Sequence, residues 1–225
     1  ANPLPADWWT MFDDPVLTRL AQGLNADNLS IAQAQAQYRR AQAALQQARS
    51  GFFPVVGSGA SFSRSGREAA GASGSNPGNE YSLSGSVSWE PDVWGRVQRT
   101  VEGSEAGLQA SAADLAAVRL SLQSTLAQTY FRVRAADSEL RFLANTVQSY
   151  ERSLRMVQNR LAAGTVPQAD VEVARNQLEG ARARLIAQQR NRAQLENAVA
   201  VLLGQPPSAF TLETLDDLPE VPVVP

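Results

Sequence analysis

The sequence predicts a mainly α-helical fold, in which a long antiparallel coiled-coil hairpin carries one inserted β-hairpin. Three observations lead to this prediction. Apolar residues repeat at heptad spacing over 122–161, and a second heptad pattern follows Gly164. Between two helical segments, residues 81–89 alternate strictly between serine and larger or glycine residues. A heptad repeat is typical of paired helices, and a period of two is typical of a strand with two different faces.

Composition narrows the range of functions. The 225 residues include no cysteine and no histidine, which removes thiol and imidazole chemistry and the usual zinc ligands. The net charge of -2 gives no reason to expect nucleic acid as a partner. No pattern places an acidic residue beside a base or a nucleophile. We therefore expect no enzyme activity, no cofactor and no metal site.

Residues 1–27 predict a short helix that precedes the long ones. Pro15 suits a first helical turn, and three leucines follow at helical spacing. They are Leu17, Leu20 and Leu24. Asn28 then suits the N-cap of a second helix over 28–53, which should end before Pro54. Its seam at 3,4 spacing consists of Ile31, Ala34, Tyr38, Ala41, Leu45, Ala48 and Phe52.

Residues 54–92 predict a β-hairpin. The clearer strand, near 80–90, has serines on one face and mainly apolar side chains on the other. A weaker alternation over 56–63 predicts the partner strand. Residues 65–79 are rich in Gly, Ser, Asn and Pro and predict the connecting loop.

Such a strand is typical of a transmembrane β-barrel, where about 9–11 residues span the bilayer. In that interpretation the apolar residues Tyr81, Leu83, Val87 and Trp89 face lipid, and Ser82, Ser84, Ser86 and Ser88 face a watery lumen. Because two strands cannot close a barrel, the remaining strands must come from other chains or from a second repeat. The alternative is an ordinary half-buried strand of a soluble sheet.

Residues 93–163 predict the long helix, which would reach about 100 Å at 1.5 Å per residue. Its apolar seam keeps strict 4,3 spacing over most of its length. The seam consists of Leu122, Leu126, Thr129, Val133, Ala136, Leu140, Leu143, Val147, Tyr150, Leu154, Val157 and Leu161. Gly164 suits the left-handed C-cap that ends this helix.

The turn 164–167 leads into a return helix over 168–204. Thr165 and Gln168 fit a capping box, with Pro167 in the first turn. The seam of the return helix, interrupted at Gln188 and Arg192, consists of Val171, Ala174, Leu178, Ala181, Leu185, Leu195, Val199 and Leu202. Together, helices 28–53 and 168–204 nearly match the long helix in length, so they can stack end to end beside it.

The return helix carries five arginines, and proline-rich residues 205–225 predict an extended segment after it. The five are Arg175, Arg182, Arg184, Arg190 and Arg192. Their usual role is a solvated face paired with acids such as Glu172 and Glu179. The alternative is a charged lining of a tunnel. Glu90, Asp92 and Arg96, between strand and helix, are expected to fix a turn.

Four stretches together resemble the outer-membrane factor family, the TolC-like efflux ducts, and especially its OprM/NodT-like efflux lipoprotein branch. They are WWTMFDDP at 8–15, WEPDVWGR at 89–96, RLAAGTVPQADV at 160–171 and LLGQP at 202–206. The chain matches the N-terminal repeat only. It departs from the family in lacking a second repeat and a lipid-bearing cysteine at its start, and in having Pro91 at a usually apolar position.

The resemblance implies a passive export duct in the outer membrane of a Gram-negative cell, with a long periplasmic extension. In that family, a homotrimer of two-repeat chains shares one lipid-embedded β-barrel. The helical hairpins are segments of a periplasmic α-barrel, to which a periplasmic adaptor and an inner-membrane transporter dock. Residues 1–27 and 205–225 are then equatorial segments, and the second also serves as a linker.

The resemblance also implies roles for particular residues. The hairpin tip, Ala163, Gly164, Thr165 and Val166, is expected to contact the adaptor, although Gly164 is also explained as a helix cap. Asp170 is the candidate member of a polar network that keeps the tunnel end closed. An acid in a first helical turn also suits the helix dipole, which is the alternative explanation for Asp170.

Two other functions compete with the duct. A periplasmic adaptor also uses a heptad hairpin, but it would carry β segments on both sides of the hairpin. A soluble coiled-coil scaffold would have the same helices without any contact with a membrane. The strand pair, which occurs once and between helices, favours the duct.

Overall fold

The computed structural model of the chain describes residues 7–65 and 78–214. The helices are α1 (Pro15–Asp27), α2 (Leu29–Ser50), α3 (Arg96–Ala162) and α4 (Gln168–Leu202), and the strands are β1 (Val55–Ser65) and β2 (Gly78–Ser88). Short 3-10 helices cover Trp8–Phe12 and Pro207–Ala209. This order confirms the predicted mainly helical fold with one small sheet. Across these described residues, no helix is long and apolar enough to cross a membrane.

The chain divides into two compact units. The junction unit consists of residues 1–34 and 115–225, and the strand unit consists of residues 35–114. Of the segments predicted from the sequence, most of the loop 65–79 and the last part of 205–225 lie outside the described residues.

The core of the junction unit forms where α1 and the start of α2 pack on α3 and α4. The leucines predicted from helical spacing in α1 are all buried, and Leu24 is 0% exposed. They share one core with residues from the other three helices. The fully buried members of that core include Leu17, Ile31, Leu126, Tyr130, Val133 and Val199.

Two side-chain caps set the helix starts in this unit. Asp14 Oδ1 accepts hydrogen bonds from the backbone N–H groups of Val16 (2.8 Å) and Leu17 (3.0 Å) at the start of α1. Asn28 Oδ1 does the same for Ile31 at 3.1 Å and for the residue before it, which confirms Asn28 as the predicted N-cap of α2. Asn28 Nδ2 also donates to the carbonyl of Leu202 at 2.7 Å, so the end of α4 meets the start of α2.

The predicted seams of the helical hairpin are confirmed. None of the seam residues predicted on α3 is exposed, and Leu126, Val133, Ala136 and Val147 are buried. On α4, Val171, Ala174, Leu178 and Ala181 are buried. Small and branched residues along these seams let the two helices of the hairpin pack closely.

The turn between α3 and α4 confirms the predicted C-cap and corrects the predicted capping box. Gly164 has φ 68°, its N–H bonds to the carbonyl of Leu161, and the N–H of Thr165 bonds to that of Arg160. The Thr165 hydroxyl also donates to the carbonyl of Arg160, at 2.9 Å, so it completes the end of α3 instead of starting α4. Pro167 is the N-cap of α4 and makes no side-chain cap bond.

The strand unit contains the antiparallel pair of β1 and β2 and the adjoining helix ends. Helix α2 ends at Ser50, and its last carbonyls bond to N–H groups three residues on, as in a tightened terminal turn. Phe52, which was expected on the seam, therefore lies beyond the helix and is exposed. Arg49 pairs with Glu105 at 2.6 Å and joins the end of α2 to the first part of α3.

Candidate functional sites

The register of the strand pair places the two alternating patterns on matching faces. Val56 lies opposite Val87, Ala60 opposite Leu83, and Phe62 opposite Tyr81. Directly opposite residues of an antiparallel pair point to the same side of the sheet. Over this stretch the face is apolar apart from Ser58, which lies opposite Gly85, and Arg64 and Asn79 continue it beyond the rings. The rings of Phe62 and Tyr81 touch on it with their centroids 4.9 Å apart.

Every apolar residue predicted to face lipid is strongly exposed within the chain. Leu83 is 87% exposed, and Tyr81, Val87 and Trp89 are also exposed. Trp89 lies one residue beyond β2, where its ring N–H donates to the carbonyl of Phe52 at 3.3 Å. This face is an uncovered apolar surface, and surfaces of that kind mark contact with another protein or with a membrane.

The middle of the opposite face of the strand pair carries only serines and glycines. The hydroxyls of Ser61 and Ser82 lie 2.7 Å apart, and Ser84 and Ser86 face glycines across the pair. A Cβ at Gly57 would lie 2.9 Å from the hydroxyl oxygen of Ser86. The glycines therefore leave room for the serine side chains, and the larger residues Val55 and Glu80 lie on this face only towards the two ends of the pair.

The residues between β2 and α3 form a structural turn, as predicted. Asp92 Oδ2 accepts a hydrogen bond from the backbone N–H of Gln98 at 2.9 Å and so caps the first turn of α3. Arg96 lies 3.7 Å from Glu90, and both side chains are well exposed. Gly95 has φ 74°, a left-handed conformation that suits glycine.

Three of the four residues of the hairpin tip are exposed. Ala163, Gly164 and Thr165 are exposed, and Val166 is half-buried. A Cβ at Gly164 would meet no atom within 4 Å, so glycine is required there for its conformation and not for space. Asp170 is also exposed, in the first turn of α4, and its carboxylate forms no ion pair within residues 7–65 and 78–214.

The predicted acid partners of the arginines on α4 are confirmed for two of them. Arg175 pairs with Glu172 at 3.2 Å, and Arg182 pairs with Glu179 at 2.9 Å. Arg182 also reaches Glu151 of α3 at 2.8 Å, a bond that ties the two helices of the hairpin in register.

Arg192 contradicts the predicted solvated role, because its side chain is only 14% exposed and belongs to a buried group of charges. Arg192 Nε donates to Asp137 at 2.6 Å and its Nη1 to Glu196 at 2.7 Å, while Arg134 contacts Asp137 from the other side at 3.2 Å. We name Arg134, Asp137, Arg192 and Glu196 the charge cluster. The sequence signal for it was the break that Arg192 makes in the seam of α4, since a charge on a buried seam needs a buried partner.

Tyr130 is a second buried polar residue that the sequence pattern did not single out. Its hydroxyl donates to Asp14 Oδ2 at 2.5 Å, and the Arg134 guanidinium lies 4.8 Å from the centre of its ring. Burial, and next the hydrogen bond to Asp14, raise the pKa of Tyr130 to about 12. Asp14 therefore caps α1 with one oxygen and holds α3 with the other.

With this geometry in place, comparison with known proteins identifies the family. Residues 20–205 match the family described as outer membrane efflux protein. The chain belongs to this family. It is 30% identical over 226 residues to the toluene efflux pump outer membrane protein TtgC of Pseudomonas putida, covering 96% of this chain and 46% of that protein. It is 30% identical over 201 residues to the cation efflux system protein CusC of Escherichia coli, covering 88% and 43%.

A solved structure agrees with these relatives. The structure of the outer-membrane channel OprN matches with a TM-score of 0.82 at 28% identity, over 97% of this chain and 50% of that chain. The chain spans less than half the length of the curated relatives it matches. Membership confirms the family predicted from the four stretches and the outer membrane as the location, and it counts against the periplasmic adaptor.

Proposed function

We propose that this chain is one repeat of a passive export duct that spans the outer membrane and periplasm of a Gram-negative cell. In this proposal, a homotrimer of two-repeat chains forms the duct. The duct acts with a periplasmic adaptor and an inner-membrane transporter, and its role is conduction without catalysis or a cofactor. The strand pair contributes to a shared barrel, and α3 and α4 contribute to a periplasmic α-barrel.

The observation that carries the proposal is the pairing of faces in the sheet. In the middle of the pair, residues 56–62 and 81–87, the register aligns the apolar residues of both strands on one side and serines and glycines on the other, with Ser58 and Gly85 as the one small pair on the apolar side. A barrel strand needs this arrangement, because its outer face meets lipid and its inner face meets water. The apolar residues of this face are exposed, so a lipid environment would supply the cover that the described residues do not.

A matched pair of substitutions tests the barrel. Leu83 and Ser84 are neighbours on β2, both are exposed, and they point to opposite faces. We expect Leu83→Arg to reduce outer-membrane insertion and export strongly, since an arginine on the lipid face near the midplane costs about 2–4 kcal/mol. We expect Ser84→Arg to leave insertion intact and to change only conduction.

The measurement is the amount of trimer in purified outer membranes, together with drug accumulation in cells that express the complete gene. Equal insertion of both variants would count against a lipid-facing strand. Recovery of the unsubstituted protein from the soluble fraction without detergent would favour the coiled-coil scaffold instead.

We also propose that the hairpin tip contacts the adaptor. The chain has no native cysteine, so a single one can be placed at will. We expect Ala163→Cys to cross-link to the adaptor in cells when a short bifunctional reagent is added. Ala187→Cys, at an exposed alanine on the body of α4, is the control and should give no such adduct. Absence of the adduct at position 163 in a pump that still exports would exclude contact at this tip.

The last part of the proposal is that Asp170 belongs to the gate. Its carboxylate is exposed and forms no ion pair among residues 7–65 and 78–214, so it is available to a partner from another repeat. We expect Asp170→Ala to raise single-channel conductance of the full trimer in planar bilayers. Glu172→Ala is the control, because Glu172 already pairs with Arg175 on its own helix. If conductance is unchanged by Asp170→Ala, its position is explained by the helix dipole alone.

A further inference from the structure

The segment that follows α4 is held by the charge cluster. Arg134 and Asp137 are 2% and 4% exposed, and the two arginines and two acids of the cluster cancel in charge. Buried charges are costly unless they are paired and hydrogen-bonded, so this cluster is expected to be specific in what it binds. What it binds here is residues 212–213 of the same chain.

The cluster contacts main-chain atoms of that segment. The backbone N–H of Leu212 donates to Glu196 Oε1 at 2.6 Å, and Arg192 Nη2 donates to the carbonyl of Leu212 at 2.7 Å. Arg134 Nη1 donates to the carbonyl of Glu213 at 2.5 Å. Both polar groups of one peptide residue are thus bound, as they would be by a neighbouring strand, while the Leu212 side chain is buried in the core.

The same turn of α3 also holds the segment that leads into α1. Tyr130 and Arg134 are four residues apart and therefore lie on one face of α3. Tyr130 binds Asp14, which precedes α1, and Arg134 binds Glu213, which follows α4. The segment before α1 and the segment after α4 are in this way fixed to side chains one turn apart on α3.

We propose that Arg134, Arg192 and Glu196 form a main-chain clamp that fixes the direction of the chain after α4, and that Tyr130 fixes the segment before α1 beside it through the Asp14 side chain. The clamp binds an extended peptide segment that presents one N–H, two successive carbonyls and one apolar side chain. The cluster also carries a cost to stability, because Arg134 Nε is buried without a hydrogen-bond partner among the described residues. The clamp fixes residues 212–213, and it does not depend on the proposed function.

Hydrogen exchange at single-residue resolution on the whole chain tests the clamp. We expect Glu196→Ala, which removes the acceptor for the Leu212 amide, to make that amide exchange at least about tenfold faster. The amide of Leu17, bound by Asp14, should change by less than about twofold. Glu179→Ala is the matched control, since Glu179 is an exposed acid on the same helix that also pairs with an arginine. It should alter neither amide.

Two results would overturn the proposal. One is equal acceleration at Leu212 and Leu17, which would mean that the cluster only stabilises the unit as a whole. The other is a Leu212 amide that already exchanges at the rate of an unstructured peptide in the unsubstituted chain. If Glu196→Ala does not fold, Glu196→Gln decides the same question. It keeps an acceptor but loses the charge, so the clamp predicts a smaller acceleration that is still confined to Leu212 and its neighbours.

Discussion

The junction core and the strand pair are both rich in apolar side chains, but those of the core are buried and those of the strand pair are exposed. Leu24 in the core is 0% exposed, whereas Leu83 on β2 is 87% exposed. The core obtains its cover from four helices of the same chain, and the strand face obtains none from the described residues. Apolar residues in the core therefore stabilise the fold of the junction unit. Apolar residues on the strand face remain exposed and would need cover from a membrane or another chain.

The largest expected effect on stability comes from replacing a leucine by alanine once in each of the two regions. We expect Leu24→Ala to lower the free energy of unfolding by about 2–5 kcal/mol, because it leaves a cavity in a packed core. Leu83→Ala should change it by less than about 0.5 kcal/mol, since an exposed side chain loses little on truncation. Urea unfolding of the chain in mild detergent, followed by the helical circular dichroism signal, measures both. Similar losses of unfolding free energy for the two variants would show that the strand face contributes to stability as the core does.

A second pair of substitutions compares a glycine that lies against another segment with a glycine that has free space around it. Gly204 and Gly164 both have φ 68°, but a Cβ at Gly204 would lie 2.7 Å from the carbonyl oxygen of Asp27, whereas one at Gly164 meets nothing within 4 Å. We expect Gly164→Ala to cost about 1 kcal/mol from the left-handed conformation alone. Gly204→Ala should cost about 2–3 kcal/mol, since the clash adds to the strain. The same urea titration measures both, and equal costs would show that the contact with Asp27 relaxes freely.

The last expected effect concerns the hydroxyl of Tyr130 and depends on pH. Its folded pKa of about 12 lies above the ordinary value of 10.0, so its contribution is complete below pH 10 and is lost as pH rises towards 12. We expect Tyr130→Phe to cost about 1–2 kcal/mol at neutral pH, because Asp14 loses a charge-assisted hydrogen bond.

Between pH 10 and 12, the stability of the unsubstituted chain should fall towards that of Tyr130→Phe. Thermal unfolding at a series of pH values checks the convergence. Parallel curves across that range would mean that the phenol does not titrate with folding.

Features that follow from a repeating pattern or from one residue's conformational preference were predicted better than contacts between distant residues. The seam of α3, the caps at Asn28 and Gly164 and the two faces of the strand pair all follow from local spacing or from one residue's conformational preference, and all are present. The misplaced details lie at helix ends, where neighbouring hydrogen bonds compete. Thr165 bonds back to α3, and Pro167 caps α4 without a side-chain bond.

The charge cluster and the Tyr130–Asp14 bond escaped prediction for a different reason. The bond of Arg192 to Asp137 joins residues 55 apart, the bond of Tyr130 to Asp14 joins residues 116 apart, and no periodic pattern connects either pair. Arg192 was visible as an interruption of a seam, but the sequence does not say that Asp137 lies opposite it. The roles of the hairpin tip and of Asp170 stay predictions, because both are exposed and their proposed partners belong to other chains or repeats.

The hydrogen bond between Asn28 and Leu202 can form only after most of the chain has been made. The hairpin bond of Arg182 to Glu151 joins residues 31 apart, whereas the bond of Asn28 to the carbonyl of Leu202 joins residues 174 apart. Local contacts form early because they close short loops. At about 5–20 residues per second, a ribosome needs roughly 10–35 s to make that intervening stretch. During that interval the core that covers the apolar face of α1 is incomplete, because Val199 and Leu203 have not yet been made.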